Sequence, residues 1–232
     1  MSPTELWLPI GALAFYLYDA TLLLWQNELV YTRTAAGWKV HGGSPLRLGG
    51  RRVFLPQLLL PYRPQFLVRW SAADARAGAA PVPDTLLRAL RPIGVVNFLQ
   101  LLLLLALPVA LWTQGAGLAA LAVFALFYLL TVVALVLVHV RRPQLALSRR
   151  AFWLQALDAL FCAPFAINLT RKLAALHGIA GEPLRFAAAH FDAATLERTR
   201  ELVGARVREE HADPDAQMLR EQQLAAMLSR LD

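Results

Sequence analysis

Four polar side chains interrupt otherwise apolar stretches of this sequence, and their types could carry a proton or an ion. They are Asp19, Asn97, Gln100 and Thr131. If these stretches are membrane helices that rise about 1.5 Å per residue, Asp19 and Gln100 lie roughly 9 and 10 Å from the cytoplasmic end, and Asn97 about 6 Å. Asn97 and Gln100 share one helix face because they are three residues apart. We therefore predict a polar layer in which both amides can hydrogen-bond to Asp19, with Thr131 somewhat deeper.

This polar layer has two interpretations. Polar residues inside a membrane often mark a substrate or ion path, so the layer could be a proton or ion relay. They also hold helices together, each such hydrogen bond contributing about 0.6 kcal/mol on average. We favour helix association and keep the relay as the alternative. Under the relay hypothesis, Asp19→Asn leaves folding almost unchanged and abolishes activity.

The rest of the sequence contains no recognisable catalytic or metal-binding motif. The five histidines do not follow a metal-ligand spacing, and neither Gly-x-Ser-x-Gly nor His-Glu-x-x-His occurs. Cys162 is the single cysteine, so an internal disulfide is excluded. We therefore expect a protein that is not an enzyme and that holds neither a metal nor a cofactor.

Three long apolar segments are predicted to position the polar layer. Hydrophobic residues make up 57% of the 232-residue chain and charged residues 17%, which is more apolar than one soluble core of this size needs. Segments 6–25, 93–112 and 118–140 each match the roughly 20 residues that cross a bilayer as a helix. Because only residues 113–117 join the last two segments, we predict that these form an antiparallel helical hairpin.

The basic residues determine the predicted orientation. Of the 23 Lys and Arg residues, ten lie in segment 26–92, four in 141–150 and nine in 151–232. Since positively charged loops stay in the cytoplasm, three spans place the N-terminus outside and every basic residue inside. Arg outnumbers Lys 21 to 2 in an Ala- and Leu-rich chain, as expected for a high-GC bacterium. We expect a multi-pass protein of the bacterial inner membrane with a cytoplasmic C-terminus.

Residues 151–169 could form a fourth span. Asp158 near the centre costs about 2.5–3.5 kcal/mol on the insertion scale, which nearly cancels the gain of roughly 2.4–4.8 kcal/mol from the apolar side chains. Gln155 and Pro164 weigh further against crossing. We therefore predict a helix that lies in the cytoplasmic interface or re-enters from it, with Gln155 and Asp158 on one polar face.

Segment 26–92 is predicted to hold a small cytoplasmic antiparallel β meander. Residues 29–34, 37–41 and 51–55 alternate or are rich in strand-forming residues, and glycines separate them. Because three strands are only marginally stable alone, the meander should pack on the membrane surface or on the C-terminal region. The prolines that follow are expected to end regular structure; they are Pro56, Pro61 and Pro64.

A short helix capped by Asp84 is predicted to lead into the second span. Its leucines should face lipid and its arginines should meet headgroups; the leucines are Leu86, Leu87 and Leu90. The expected contacts with anionic inner-leaflet headgroups are Arg88, Arg91, Arg141, Arg142, Arg149 and Arg150. Membrane topology already accounts for the positive charge, and no nucleic-acid-binding module is recognisable, so we expect no nucleic-acid partner.

The C-terminal segment is polar and is predicted to form a helical hairpin. Asp192 can cap a helix that runs to about His211, and Asp213 followed by Pro214 can start a second one. Leu224, Met227, Leu228 and Leu231 would form one apolar face of that second helix. With a net charge of −3 from residue 186 onward, this tail could pack on the basic meander, which we favour, or bind another protein.

The predicted fold is a mainly α membrane protein with three transmembrane helices, or four, a cytoplasmic β meander and a C-terminal helical hairpin. The chain divides into a first span (1–25), a basic β loop with an interfacial helix (26–92), a transmembrane hairpin (93–140), an interfacial helix and linker (141–185) and a cytoplasmic tail (186–232). We expect a non-enzymatic scaffold, assembly or regulatory subunit with a protein partner. The alternative is a small transporter or channel subunit that forms homo-oligomers.

Overall fold

The computed structural model describes residues 3–69, 84–115, 117–180 and 183–212. We number its helices and strands in chain order. The helices are α1 (Pro3–Ala20), α2 (Asp84–Gln114), α3 (Leu118–Val140), α4 (Arg149–Phe161), α5 (Ala163–Ala166), α6 (Leu169–His177), α7 (Pro183–His190) and α8 (Ala193–Ala212). The strands are β1 (Leu22–Leu24), β2 (Glu28–Thr34), β3 (Gly37–His41), β4 (Arg47–Leu48), β5 (Arg51–Phe54), β6 (Gln65–Arg69) and β7 (Ile179–Ala180).

Helices α2 and α3 form the predicted hairpin. Within the described ranges, these two helices are long and apolar enough to cross a membrane. Their most apolar windows are only 44% and 28% buried inside the protein, so much of their apolar surface is exposed. The predicted short helix before the second span is not separate, because α2 runs without a break from Asp84 to Gln114.

Helix α1 ends earlier than the sequence analysis expected. The apolar run predicted as one helix to residue 25 stops being helical at Ala20, and Leu22–Leu24 form strand β1. This strand pairs antiparallel with β5, where Leu22 lies opposite Phe54. Leu24 is buried against Val30 and Phe54. An apolar run alone does not distinguish a helix from a buried strand, and here strand pairing decides between them.

The segment 151–169 is not one continuous helix. Ser148 caps α4, because its hydroxyl oxygen accepts a hydrogen bond from the backbone N–H of Ala151 (3.1 Å). The helix ends at Phe161, and Cys162 adopts a non-helical conformation (φ −128°, ψ 86°). The short helix α5 then begins at Ala163, and the ring of Pro164 in its first turn prevents α4 from continuing. The interfacial or re-entrant arrangement stays a prediction.

The three predicted strands exist, but the predicted three-stranded meander is wrong. β2 pairs with β3 on one side and with β6 on the other, and β7 adds to β6 in parallel. β5 belongs to a second sheet, between β1 and β4. Regular structure also resumes directly after Pro64, where β6 begins. The pairings of β1 with β5, β2 with β6 and β6 with β7 connect distant parts of the chain, which local strand propensity does not reveal.

The larger sheet packs on the start of α2 and shares one core with it. Leu29 and Phe66 of the sheet are fully buried in the same cluster as Leu86, Leu90 and Ile93 of α2. The prediction that these leucines face lipid is therefore wrong, since Leu86 is 1% and Leu90 2% exposed. Leu87 is half-buried against the same cluster. The sheet and the apolar hairpin are consequently joined through a single helix.

Helix α8 begins as predicted and packs on the strands. The Asp192 carboxylate accepts a hydrogen bond from the backbone N–H of Thr195 (2.8 Å), and this bond holds the pKa of Asp192 below its ordinary value. Arg206 donates to the carbonyl of Gly42, and Glu209 forms ion pairs with Arg47 (3.3 Å) and Arg52. Acidic and basic groups therefore meet as expected for intramolecular packing. Asp213, Pro214 and the predicted second tail helix lie outside the described residues.

His41 gives this region a predicted pH dependence. Burial lowers the pKa of the His41 imidazole from its ordinary value, and the positive charges of Arg198 and Lys39 lower it further. In the unfolded chain the His41 imidazole becomes protonated as the pH falls to about 6.5. In the folded protein the imidazole becomes protonated only at a lower pH. The free energy of unfolding should therefore decrease as the pH falls below about 6.5, until the folded state is protonated too.

The substitution His41→Gln should remove this component of the pH dependence. Chemical denaturation of the parent and the variant, compared at about pH 8 and about pH 5, measures the difference. An equal loss of stability in both proteins would show that other groups are responsible.

Candidate functional site

The predicted polar layer is divided between separate contacts. The Gln100 side-chain amide donates to the Thr131 hydroxyl (2.9 Å), which joins α2 to α3. The Asn97 amide donates to the Thr170 hydroxyl (3.0 Å), which joins α2 to α6. Because both amides are directed to threonines and not to Asp19, this geometry is that of bonds between helices.

Asp19 has a different set of partners, which the sequence analysis missed. Its carboxylate forms an ion pair with Lys172 (Nζ–Oδ1 2.7 Å) and accepts a hydrogen bond from the Asn168 amide (3.1 Å). The side chains of Asp19 and Lys172 are only 10% and 22% exposed. The signal was available in principle, since an acid within an apolar run needs a partner of opposite charge.

Arg171 connects the hydrogen bonds around Asp19 to the loop before β6. Its guanidinium donates to the Asn168 side-chain oxygen and to the Gln57 carbonyl, both at 2.7 Å. The nearby Tyr16 hydroxyl donates to the carbonyl of Leu58, and the Asn168 amide also donates to the Tyr16 carbonyl (3.2 Å). These bonds attach α6 to both α1 and the loop at residues 57–58.

A pocket of about 320 Å³ adjoins the ion pair, and we call it the Asp19–Lys172 pocket. Its polar lining residues are Asp19, Gln65, Gln155, Asn168, Arg171 and Lys172. Among the described residues, the buried atoms Gln65 Oε1, Gln155 Oε1 and Arg171 Nε have no hydrogen-bond partner. These unpartnered atoms could hydrogen-bond to ordered water in the pocket, although Ala20, Leu22, Ala175 and Leu176 also line it.

Gln155 and Asp158, the residues of the predicted interfacial polar face, both lie on α4. Gln155 is half-buried and lines the Asp19–Lys172 pocket, whereas Asp158 is exposed on the same helix. Across the residues the structure describes, no three His, Cys, Asp or Glu side chains are grouped as they would be around a metal ion. The pocket therefore offers an ion pair and amide groups for hydrogen bonding.

The arginines that were predicted to contact lipid differ in how exposed they are. Arg149 and Arg150 are exposed at the start of α4, while Arg141 and Arg142 are half-buried after α3. Arg88 and Arg91 are exposed on α2 and line a groove of about 810 Å³. We call this the basic groove, because two arginines that the sequence analysis did not select also line it, Arg33 and Arg63.

Comparison of the chain with protein-family models, with curated proteins and with solved structures found no match.

Proposed function

We propose that this protein is a multi-pass protein of the bacterial inner membrane, without enzymatic activity, that holds a cytoplasmic surface for a protein partner. The apolar surface of α2 and α3 supports the membrane location. Trp112, Leu118, Leu129 and Val140 are all more than half exposed, which would be unfavourable in water. The arginine distribution supports an external N-terminus and a cytoplasmic C-terminus.

A partner-binding role is supported by the way the sheets are attached. Because α2 continues from the sheet core into the apolar hairpin, the cytoplasmic strands would be held at a fixed position on the membrane. The smaller sheet also ends in the edge strand β4. Leu46, directly before this strand, is 66% exposed, and Leu48, its last residue, is 63% exposed. Exposed leucines at this edge are suited to contact an apolar segment of another protein. This edge is the observation that carries the proposal.

Site-specific photocrosslinking in cells tests this proposal. A crosslinking residue at Leu48 should yield an adduct with a different protein, which is then identified by mass spectrometry. The same residue at exposed Gln144, on another loop of the predicted cytoplasmic side, is the matched control and should not. Leu46→Lys should abolish the adduct, because a charged side chain at this position opposes contact with an apolar segment. An adduct that forms equally from both positions would contradict the proposal.

The Asp19–Lys172 pocket favours a second candidate, a small transporter or channel subunit. A largely buried ion pair beside a pocket is an arrangement that ion paths use, although three or four helices would need an oligomer to enclose such a path. Crosslinking between exposed positions on α2 and α3 distinguishes the two. A symmetric homo-oligomer through these helices would support the transporter, and a different protein captured at β4 would support the scaffold.

A further inference from the structure

The basic groove brings together four guanidinium groups from three separate parts of the chain. Arg33 comes from β2, Arg63 from the loop before β6, and Arg88 and Arg91 from α2. Asp84 is the single acid among the described lining residues. None of the four arginines forms an ion pair with a carboxylate elsewhere in the described ranges. The groove therefore has a strong excess of positive charge.

The partners of these arginines leave the charge available to a ligand. The Arg33 guanidinium lies over the Trp38 ring at 5.3 Å, and Arg63 donates to the side-chain oxygen of Gln57. Arg88 makes a long contact of 3.4 Å with the backbone carbonyl of Asp84. All of these partners are neutral groups. Since the guanidinium fork matches the oxygens of a phosphate, an anionic phosphate is the ligand that fits this lining.

An exposed apolar stripe continues from the groove along the same face of α2. Val95, Phe98 and Leu102 are exposed, and they follow Arg88 and Arg91 at alternating spacings of three and four residues. Residues at this spacing lie one above another on a helix. The Tyr62 ring, which lines the groove, contacts the Phe98 ring with centroids 5.8 Å apart. The groove and the α2 stripe therefore form one surface with a cationic end and an apolar continuation.

We propose that this surface is a binding site for one anionic phospholipid. Its phosphate lies between the guanidinium groups of Arg33, Arg63, Arg88 and Arg91, and an acyl chain lies along the α2 stripe. This inference depends on the proposed membrane location and is independent of the proposed protein partner. The apolar stripe favours a lipid over a soluble phosphate compound, since a soluble ligand would gain nothing from Val95 or Leu102.

Native mass spectrometry of the full chain in a neutral detergent tests the site, using phosphatidylglycerol and phosphatidylcholine as the probes. The parent should bind one phosphatidylglycerol more tightly than phosphatidylcholine. Removing two charges from opposite sides of the groove, in R63Q/R91Q, should weaken phosphatidylglycerol binding about thirtyfold at about 1 kcal/mol per arginine. The matched control R200Q/R208Q removes the same charge from exposed positions on α8 and should leave binding nearly unchanged.

A second variant tests the apolar half of the site without relying on arginine. Leu102→Gln is exposed and should leave the fold intact, yet it should weaken phosphatidylglycerol binding. Equal weakening in R63Q/R91Q and R200Q/R208Q would overturn the proposal, because binding would follow overall charge. Displacement of the lipid by equimolar glycerol phosphate would also overturn it, in favour of a soluble ligand.

Insertion of the chain into phosphatidylcholine nanodiscs distinguishes a failure of the lipid-site proposal from a failure of the proposed membrane location. A chain that does not insert contradicts the membrane location itself. A chain that inserts without preferring phosphatidylglycerol contradicts the lipid site alone.

Discussion

Replacing Lys172 with Met is expected to lower the free energy of unfolding by about 3–5 kcal/mol, because it leaves a buried carboxylate without its cation. Lys172 Nζ lies 2.7 Å from Asp19 Oδ1, and the Asp19 side chain is 10% exposed. The remaining hydrogen-bond partner, the Asn168 amide, is neutral, and the nearby Arg171 guanidinium is engaged with Asn168 and Gln57 and balances the charge only in part. Denaturant titration of the purified protein in detergent, followed by tryptophan fluorescence, measures the loss.

Two further variants test whether this loss of stability comes from an unpaired buried charge. Arg200→Met removes an ion pair with Glu197 whose side chains are 57% and 61% exposed, so it should cost no more than about 1 kcal/mol. Adding Asp19→Asn to Lys172→Met should recover much of the lost stability, since no unpaired charge then stays buried. Equal effects of Lys172→Met and Arg200→Met would contradict a buried ion pair.

The same contact changes the expectation for Asp19→Asn. The sequence analysis expected this substitution to leave folding almost unchanged. With Lys172 paired to Asp19, the substitution removes the partner of a partly buried ammonium group and should itself reduce stability. A loss of activity in this variant would therefore not by itself demonstrate a proton or ion relay.

Replacing Gly94 with Ala is expected to destabilise the protein by about 1–3 kcal/mol, because the added methyl group has no space. A Cβ atom at this position would lie 2.9 Å from Tyr62 Cβ, 3.1 Å from Tyr62 Cα and 3.2 Å from the Tyr62 carbonyl oxygen. Two of these atoms belong to the backbone, so the loop itself must move. This penalty opposes the gain of about 1 kcal/mol that alanine normally brings to a helix.

Gly204→Ala is the matched control for this second prediction. Gly204 also lies in a helix, but a Cβ atom there would meet only the Arg208 guanidinium, at 3.5 Å. Because that side chain is flexible, Gly204→Ala should stabilise the protein by up to about 1 kcal/mol. Thermal or denaturant unfolding of both variants should therefore give changes of opposite sign. A stabilising Gly94→Ala would contradict the close packing of α2 against Tyr62.

The sequence by itself determined the features that depend on neighbouring residues. Sustained apolar composition predicted the two long helices, and the short connection between them predicted the hairpin. Strand-forming residues placed the β2 and β3 hairpin correctly, and an aspartate before a helical pattern placed the start of α8. Each of these signals is local, because backbone hydrogen bonds within a helix and capping bonds join residues close in sequence.

Only the tertiary structure decided which distant groups meet. Leu22–Leu24 could have extended α1 and instead pair with β5, about thirty residues later. Leu86 and Leu90 were apolar and near a predicted span, and the sheet covers them where lipid was expected. Asp19 was recognised as a candidate site residue, but Lys172 was not, since 152 positions separate them and nothing local links the two. Such partners are selected by packing of the whole chain, because burial and charge pairing act between surfaces that only folding brings together.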